Sequence, residues 1–146
     1  MIVYLDASAL VKLYVAERGS KETAELTARA EVVATSLISR AEVAAALAKA
    51  VRIGLLGLQT ARQAQRVFAT QWADIARVPV TEALVSRAGG LAWDYALRGF
   101  DAVHLACALM WQESVGMAVT LATFDRQLRE AGQKTAIDVW PERITN

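Results

Sequence analysis

Four carboxylates stand at places in this sequence where an acid is costly unless something engages it. Asp6 ends the apolar run of MIVYLDASAL, Glu42 lies in SRAEVAAAL, Asp101 in LRGFDAVHLACAL and Asp125 in LATFDRQL. Asp6, Glu42 and Asp101 are bordered by apolar or small residues and Asp125 follows Phe124 at a strand end, and a carboxylate removed from water needs a partner or a metal. Gathered in one cleft, the four would repel one another and bind protons more tightly unless cations neutralised them. With a single histidine (His104) and a single cysteine (Cys107), the donors on offer are hard oxygens. Such a set favours Mg²⁺ or Mn²⁺ over Zn²⁺.

Each acid also has a purely structural reading. Asp6 and Asp125 both precede helical segments and suit an N-cap, although Ser8 offers an alternative cap that would leave Asp6 free. Ser39-x-x-Glu42 matches a capping box. If the helix instead begins at Ser36, Glu42 lies inside it, with Ile38, Ala46 and Ile53 within about 40° of its direction. Asp101 suits the first turn of a helix, where acids complement the dipole. Thr123 reads as a strand residue beside Asp125. His104, three residues past Asp101 on an apolar helix, reads as a hydrogen-bonded core residue. Trp72, Trp93, Trp111 and Trp140 read as core or subunit-contact residues, and the other acids as solvated.

The elements that must position these residues alternate. Strands are expected at Ile2–Leu5, Val32–Thr35, Ile75–Val80, Ala118–Ala122 and Ala136–Val139. The first and fourth are nearly continuous apolar runs, the pattern of strands covered on both faces. Helical periods occupy Ser8–Ala16, Lys21–Ala30, Leu37–Ile53, Leu58–Trp72, Thr81–Leu97, Asp101–Gln112 and Arg126–Ala131, the third closing at Gly54 and the last at Gly132. This alternation predicts a three-layer α/β/α sandwich around a mostly parallel sheet. Ligands in such sheets bind at the carboxyl ends of strands where strand order reverses. Asp6 and Asp125 follow the first and fourth strands.

The totals narrow the class. A chain of 146 residues, 55% hydrophobic and 21% charged, fits one globular domain spanning 1–146, without linker, repeat or low-complexity tract. The net charge of +1 argues neither for nor against nucleic acid, while twelve Arg against four Lys mildly favours phosphate or carboxylate partners. One cysteine excludes an internal disulfide and a cysteine-rich zinc site. The N-terminus lacks a basic segment and meets Asp6 too early for a secretory signal, and no apolar run spans a bilayer. A reducing cytoplasm is expected, with no membrane partner.

Taken in order, YLDASALVKLYVAERGS, SRAEVAAAL, LRGFDAVHLACAL and LATFDRQLREAG resemble the PIN-domain ribonucleases, in particular VapC-type toxins of type II toxin–antitoxin systems. The ordered set spans nearly the whole chain; Ala7-Ser8 varies the usual small pair after the first Asp. The resemblance implies a five-stranded sheet ordered 3-2-1-4-5 and carries an acidic site onto Asp6, Glu42, Asp101 and Asp125, assisted by Thr123 and Ser8. It implies one or two Mg²⁺ or Mn²⁺ ions, an RNA substrate, a homodimer, and a VapB-type antitoxin that blocks the cleft. Hydrolysis of an RNA phosphodiester is the expected reaction. Asp6, Asp101 and Asp125 are the expected direct ligands, Glu42 serves a second ion or acts through water, and Ser8 takes over the cap. Arg40, Arg98 and Arg126 are candidate phosphate contacts through closeness in sequence. Among the rivals, an aspartyl phosphatase of the haloacid-dehalogenase type wants an acid two residues after Asp6, where Ser8 stands. A phosphoacceptor receiver lacks its lysine, and a catalytically inactive PIN-like module binding RNA or protein would not need all four carboxylates.

Overall fold

The chain starts on a strand because its first residues have no polar side to show. β1 (Ile2–Leu5) is buried at every position. Its side chains alternate between faces as the pleat requires. Ile2 and Tyr4 join one apolar core with Leu84, Leu105 and Leu121, while Val3 and Leu5 join a second with Leu10, Val43, Leu47 and Phe68. A strand with a core on each side is the central strand of a sandwich.

In this computed structural model, which describes residues 1–143, five strands form one parallel sheet. They are β1, β2 (Val32–Ser36), β3 (Ala76–Val78), β4 (Val119–Ala122) and β5 (Asp138–Trp140), in the order β3-β2-β1-β4-β5. Leu5 is in register with Thr35 of β2 and with Ala122 of β4, so the residues that follow all three strands emerge at one edge. Strand order reverses across β1 and β4, which puts that edge at the crevice where ligands of such sheets bind.

Among the described residues seven helices cover the sheet: α1 (Ala7–Leu10), α2 (Ser20–Ala28), α3 (Ser39–Arg52), α4 (Leu58–Gln71), α5 (Glu82–Tyr95), α6 (Gly99–Val115) and α7 (Arg126–Gly132). α6 is buried without a break from His104 to Leu109, as its apolar circumference requires. No helix among the described residues is long and apolar enough to cross a membrane.

The sandwich and its strand order agree with expectation; several boundaries do not. β3 stops at Val78 because Pro79 has no N–H for the ladder. β5 begins at Asp138 because α7 runs on through Gly132 and the turn after it bonds Thr135 N back to Gly132 O, using up the residues between. Gly132 is required there: a Cβ would lie 2.9 Å from Val139 Cγ2, so only glycine lets α7 sit this close to β5. The first helix keeps α geometry only to Leu10 and tightens into a 3₁₀ turn over Val11–Leu13. α6 starts at Gly99, two residues earlier than expected, with Arg98 as its N-cap in extended conformation.

Candidate active site

Asp6 is the first residue beyond β1, and its N–H still bonds Ala122 O at 3.1 Å, holding the chain to β4. Asp6 is only 3% exposed, and its carboxylate accepts from three donors. Oδ1 takes the Ala9 N–H at 2.9 Å and the Ser8 hydroxyl at 2.7 Å. Oδ2 takes Thr123 Oγ1 at 2.7 Å, and Ser8 also approaches it at 2.9 Å. Asp6 is therefore itself the N-cap of α1, which corrects the expectation that Ser8 would cap. Ser8 lies inside α1, one residue past its start, so it is not at the cap position; it donates to the Asp6 carboxylate and accepts the Phe124 N–H at 2.8 Å. Burial pushes the Asp6 carboxyl above its ordinary range, opposed by the field of His104 and by the hydrogen bonds from Thr123, Ser8 and Ala9.

Thr123, fully buried, connects two acids. While donating to Asp6 it accepts the Asp125 N–H at 3.0 Å. Asp125 caps α7 through Oδ1, which takes the Leu128 N–H at 2.8 Å. Its other oxygen accepts Arg98 Nη2 at 2.7 Å. Arg98 Nε in turn donates to Asp101 Oδ2 at 2.9 Å, so one guanidinium spans two carboxylates. Asp101 occupies the first turn of α6 with a side chain 15% exposed. Burial raises its pKa most; the hydrogen bond from Arg98 lowers it, and the neighbouring Asp125 charge raises it again.

Glu42 lies in the first turn of α3, and the capping box its sequence suggests is not made. α3 has no side-chain cap, and Ser39 Oγ turns inward to Thr35 Oγ1 at 2.7 Å. The Glu42 carboxylate meets His104 Nε2 at 2.7 Å instead. It also lines a cleft of about 480 Å³ together with Arg98, Gly99, Phe100 and Asp101.

The four acids thus arrive from four elements. Asp6, Thr123, Asp125, Arg98 and Asp101 form one continuous hydrogen-bonded chain, and Glu42 shares a cleft with its far end. Arg98 is brought in; the other two candidate phosphate contacts are not. Arg40 lies over the Trp72 ring, 5.9 Å from its centroid, because two residues on a helix place it about 200° from Glu42. Arg126 points along α7 to Glu130 at 3.1 Å. His104 is the participant that sequence reasoning treated only as core.

A divalent ion can be tested against this donor set. All the acidic donors are carboxylate oxygens, suited to Mg²⁺ or Mn²⁺. Asp101 and Asp125 already hold a positive charge between them in the form of Arg98. The residues fit such an ion by charge and donor type. No three acid, His or Cys side chains among the described residues are grouped as a ready-made cage.

Comparison with known proteins places the fold in a family. The PIN domain family model matches residues 3–134. Ribonuclease VapC49 of Mycobacterium tuberculosis is 37% identical over 144 residues, covering 98% of this chain and 97% of that protein. Among solved structures, the fold matches VapC20 of Mycobacterium tuberculosis, described as a sarcin-ricin loop cleaving toxin. That match has a TM-score of 0.64 and 19% identity over 89% of this chain and 95% of that one. VapBC2 of Rickettsia felis, bound to a DNA fragment from its promoter, matches with a TM-score of 0.64 and 15% identity over 95% and 97%. The chain belongs to the PIN domain family, with the VapC ribonucleases among its relatives.

Proposed function

We propose that this chain is a divalent-metal-dependent endoribonuclease of the VapC type, the toxin of a toxin–antitoxin pair. The observation that carries the reading is the arrival of Asp6, Glu42, Asp101 and Asp125 at one sheet edge, in a chain 37% identical to a ribonuclease. Asp6, Asp101 and Asp125 would hold a Mg²⁺ or Mn²⁺ ion, and Glu42 a second ion or a water. When bound, the metal would lower the pKa of a water and stabilise the charge that develops on the phosphorus oxygens.

The rest of the work falls to the chain. Ser8, Thr123 and the Ala9 N–H hold Asp6 in one orientation before anything binds, so little reorganisation is left for the reaction. Arg98, whose side chain is 71% exposed, is free to leave Asp101 and Asp125 and turn its planar fork to a substrate phosphate. The same geometry supports inhibition by a VapB-type antitoxin, since an incoming basic side chain would find the place a guanidinium already fits. We further propose a single domain, a homodimer and a cytoplasmic location.

The test uses purified, partner-free chain with several structured RNAs in Mg²⁺ or Mn²⁺. Cleavage leaving 5′-phosphate ends, lost in Asp101→Asn, is expected. RNA binding without cleavage beyond that control would mark an inactive PIN-like module, and turnover of a small phosphomonoester would mark a phosphatase.

A further inference from the structure

We propose that Tyr4 and His104 are positioning residues that fix Glu42 for the hydrolytic step, an inference resting on the ribonuclease reading above. His104 is 2% exposed, yet both of its ring nitrogens are engaged. Nε2 lies 2.7 Å from Glu42 Oε1, and Nδ1 lies 2.8 Å from the Tyr4 hydroxyl. A carboxylate only accepts, so Nε2 carries the proton shared with Glu42, and the Tyr4 hydroxyl pairs with Nδ1 on the other side of the ring. Tyr4 is fully buried, and the two rings meet edge-on with centroids 6.0 Å apart. Packing therefore holds the imidazole in the plane its hydrogen bonds require.

An apolar side chain would fill this part of the core without desolvating two polar rings. The line of Tyr4, His104 and Glu42 instead runs from the sheet interior to a carboxylate on the rim of the acidic cleft. Its anchor points are the elements that deliver the other acids. Tyr4 is on β1, two residues before Asp6, and His104 is on α6, three residues after Asp101. Glu42, on α3, is thereby tied to the segments carrying two of its fellow acids. The contact occupies Oε1 only. The other oxygen, Oε2, has no hydrogen-bond partner among the described residues and remains available to a water or an ion in the cleft shared with Asp101. Buried donors of this kind, orienting an acid from behind, generally change metal affinity or activity about 10–100-fold when removed.

The experiment compares His104→Gln, His104→Asn, His104→Leu and Tyr4→Phe in the full chain. Gln presents an N–H near the reach of Nε2, whereas Asn reaches only as far as Nδ1 and Leu offers no donor. Each is assayed for RNA cleavage against RNA and Mn²⁺ concentration, and for Mn²⁺ binding without RNA by electron paramagnetic resonance. His104→Asn and His104→Leu should lower kcat about 10–100-fold and weaken Mn²⁺ binding, leaving KM for RNA within about twofold. His104→Gln should recover kcat to within about threefold of wild type, and Tyr4→Phe should fall between. Folded His104→Leu with wild-type kcat and Mn²⁺ binding overturns the proposal. So does equal impairment of the Gln and Asn variants in step with a lowered Tm. If His104→Leu does not fold, Tyr4→Phe, which removes one oxygen, decides by the same criteria. A wild type that cleaves no RNA overturns the ribonuclease reading instead. Mn²⁺ binding then decides the positioning alone: lost in Asn and regained in Gln sustains it, unchanged in both overturns it.

Discussion

Asp6 and the pair Asp101–Asp125 sit at the same sheet edge but are held by opposite means. Asp6 is buried and kept in place by hydroxyls and a backbone N–H, dipoles that orient it without cancelling its charge. Asp101 and Asp125 are less buried and share one guanidinium, which cancels charge and is itself exposed to water. Neutral donors built into the fold make a permanent support. A single exposed arginine makes a replaceable one, since water and salt screen such ion pairs. The difference separates a support built into the fold from one supplied by a single exposed side chain.

The sharpest way to break this comparison is to remove a charge that no neighbour can replace. Asp101→Asn should lower kcat/KM by about 10³-fold, because metal-assisted stabilisation of several kcal/mol converts at 1.36 kcal/mol per decade. Single-turnover RNA cleavage measures it, and a loss below tenfold would remove Asp101 from the site. Next in size is the fixed support. Thr123→Val deletes the hydroxyl that links Asp6 to Asp125 and should cost about 10–100-fold in activity or Mn²⁺ affinity. If Asp6 were held by its cap alone, Thr123→Val would leave both unchanged.

Much of this layout was legible before any coordinates. β1 and β4 are apolar enough to be central strands, and the rule about carboxyl ends then singled out Asp6 and Asp125. Asp6 misled in one respect. Capping does not remove Asp6 from the acidic cluster, since one oxygen caps α1 while the other takes Thr123. The pairing of Arg98 with Asp101 follows from i,i+3 spacing, but its reach to Asp125 crosses 27 residues. The partners of His104 lie 62 and 100 residues away, and no local pattern encodes such contacts. Arg40 stands apart from the acids, over the Trp72 ring. Its helical angle relative to Glu42 already directed it to the opposite face.

The replaceable support gives a smaller effect of opposite sign. Arg98→Ala removes the internal cation that competes for Asp101 and Asp125 and also removes a candidate phosphate ligand. Mn²⁺ should then bind a few-fold more tightly, up to about fivefold, while KM for RNA rises by a similar factor. Titrations of metal and of RNA read the two changes separately. Tighter metal binding with unchanged KM would confine Arg98 to the role of counter-ion.

The smallest effect is on stability, and its sign follows from the burial of Asp6. Its folded pKa lies above the ordinary aspartate value of 3.8, because burial outweighs the hydrogen bonds it accepts. Between 3.8 and that raised value the folded chain keeps a proton the unfolded chain has lost. Stability therefore falls as pH rises through this window and stays lower above it. Asp6→Asn has no such charge. Its carbonyl can still accept the Ala9 N–H, and the Ser8 and Thr123 hydroxyls can rotate to accept from its amide. In chelator, urea midpoints of Asp6→Asn and wild type should be closest in acid and diverge in favour of the variant toward neutral pH. A gap that closed as pH rose would mean that the hydrogen bonds outweigh burial, making Asp6 a stabilising ion like any paired carboxylate.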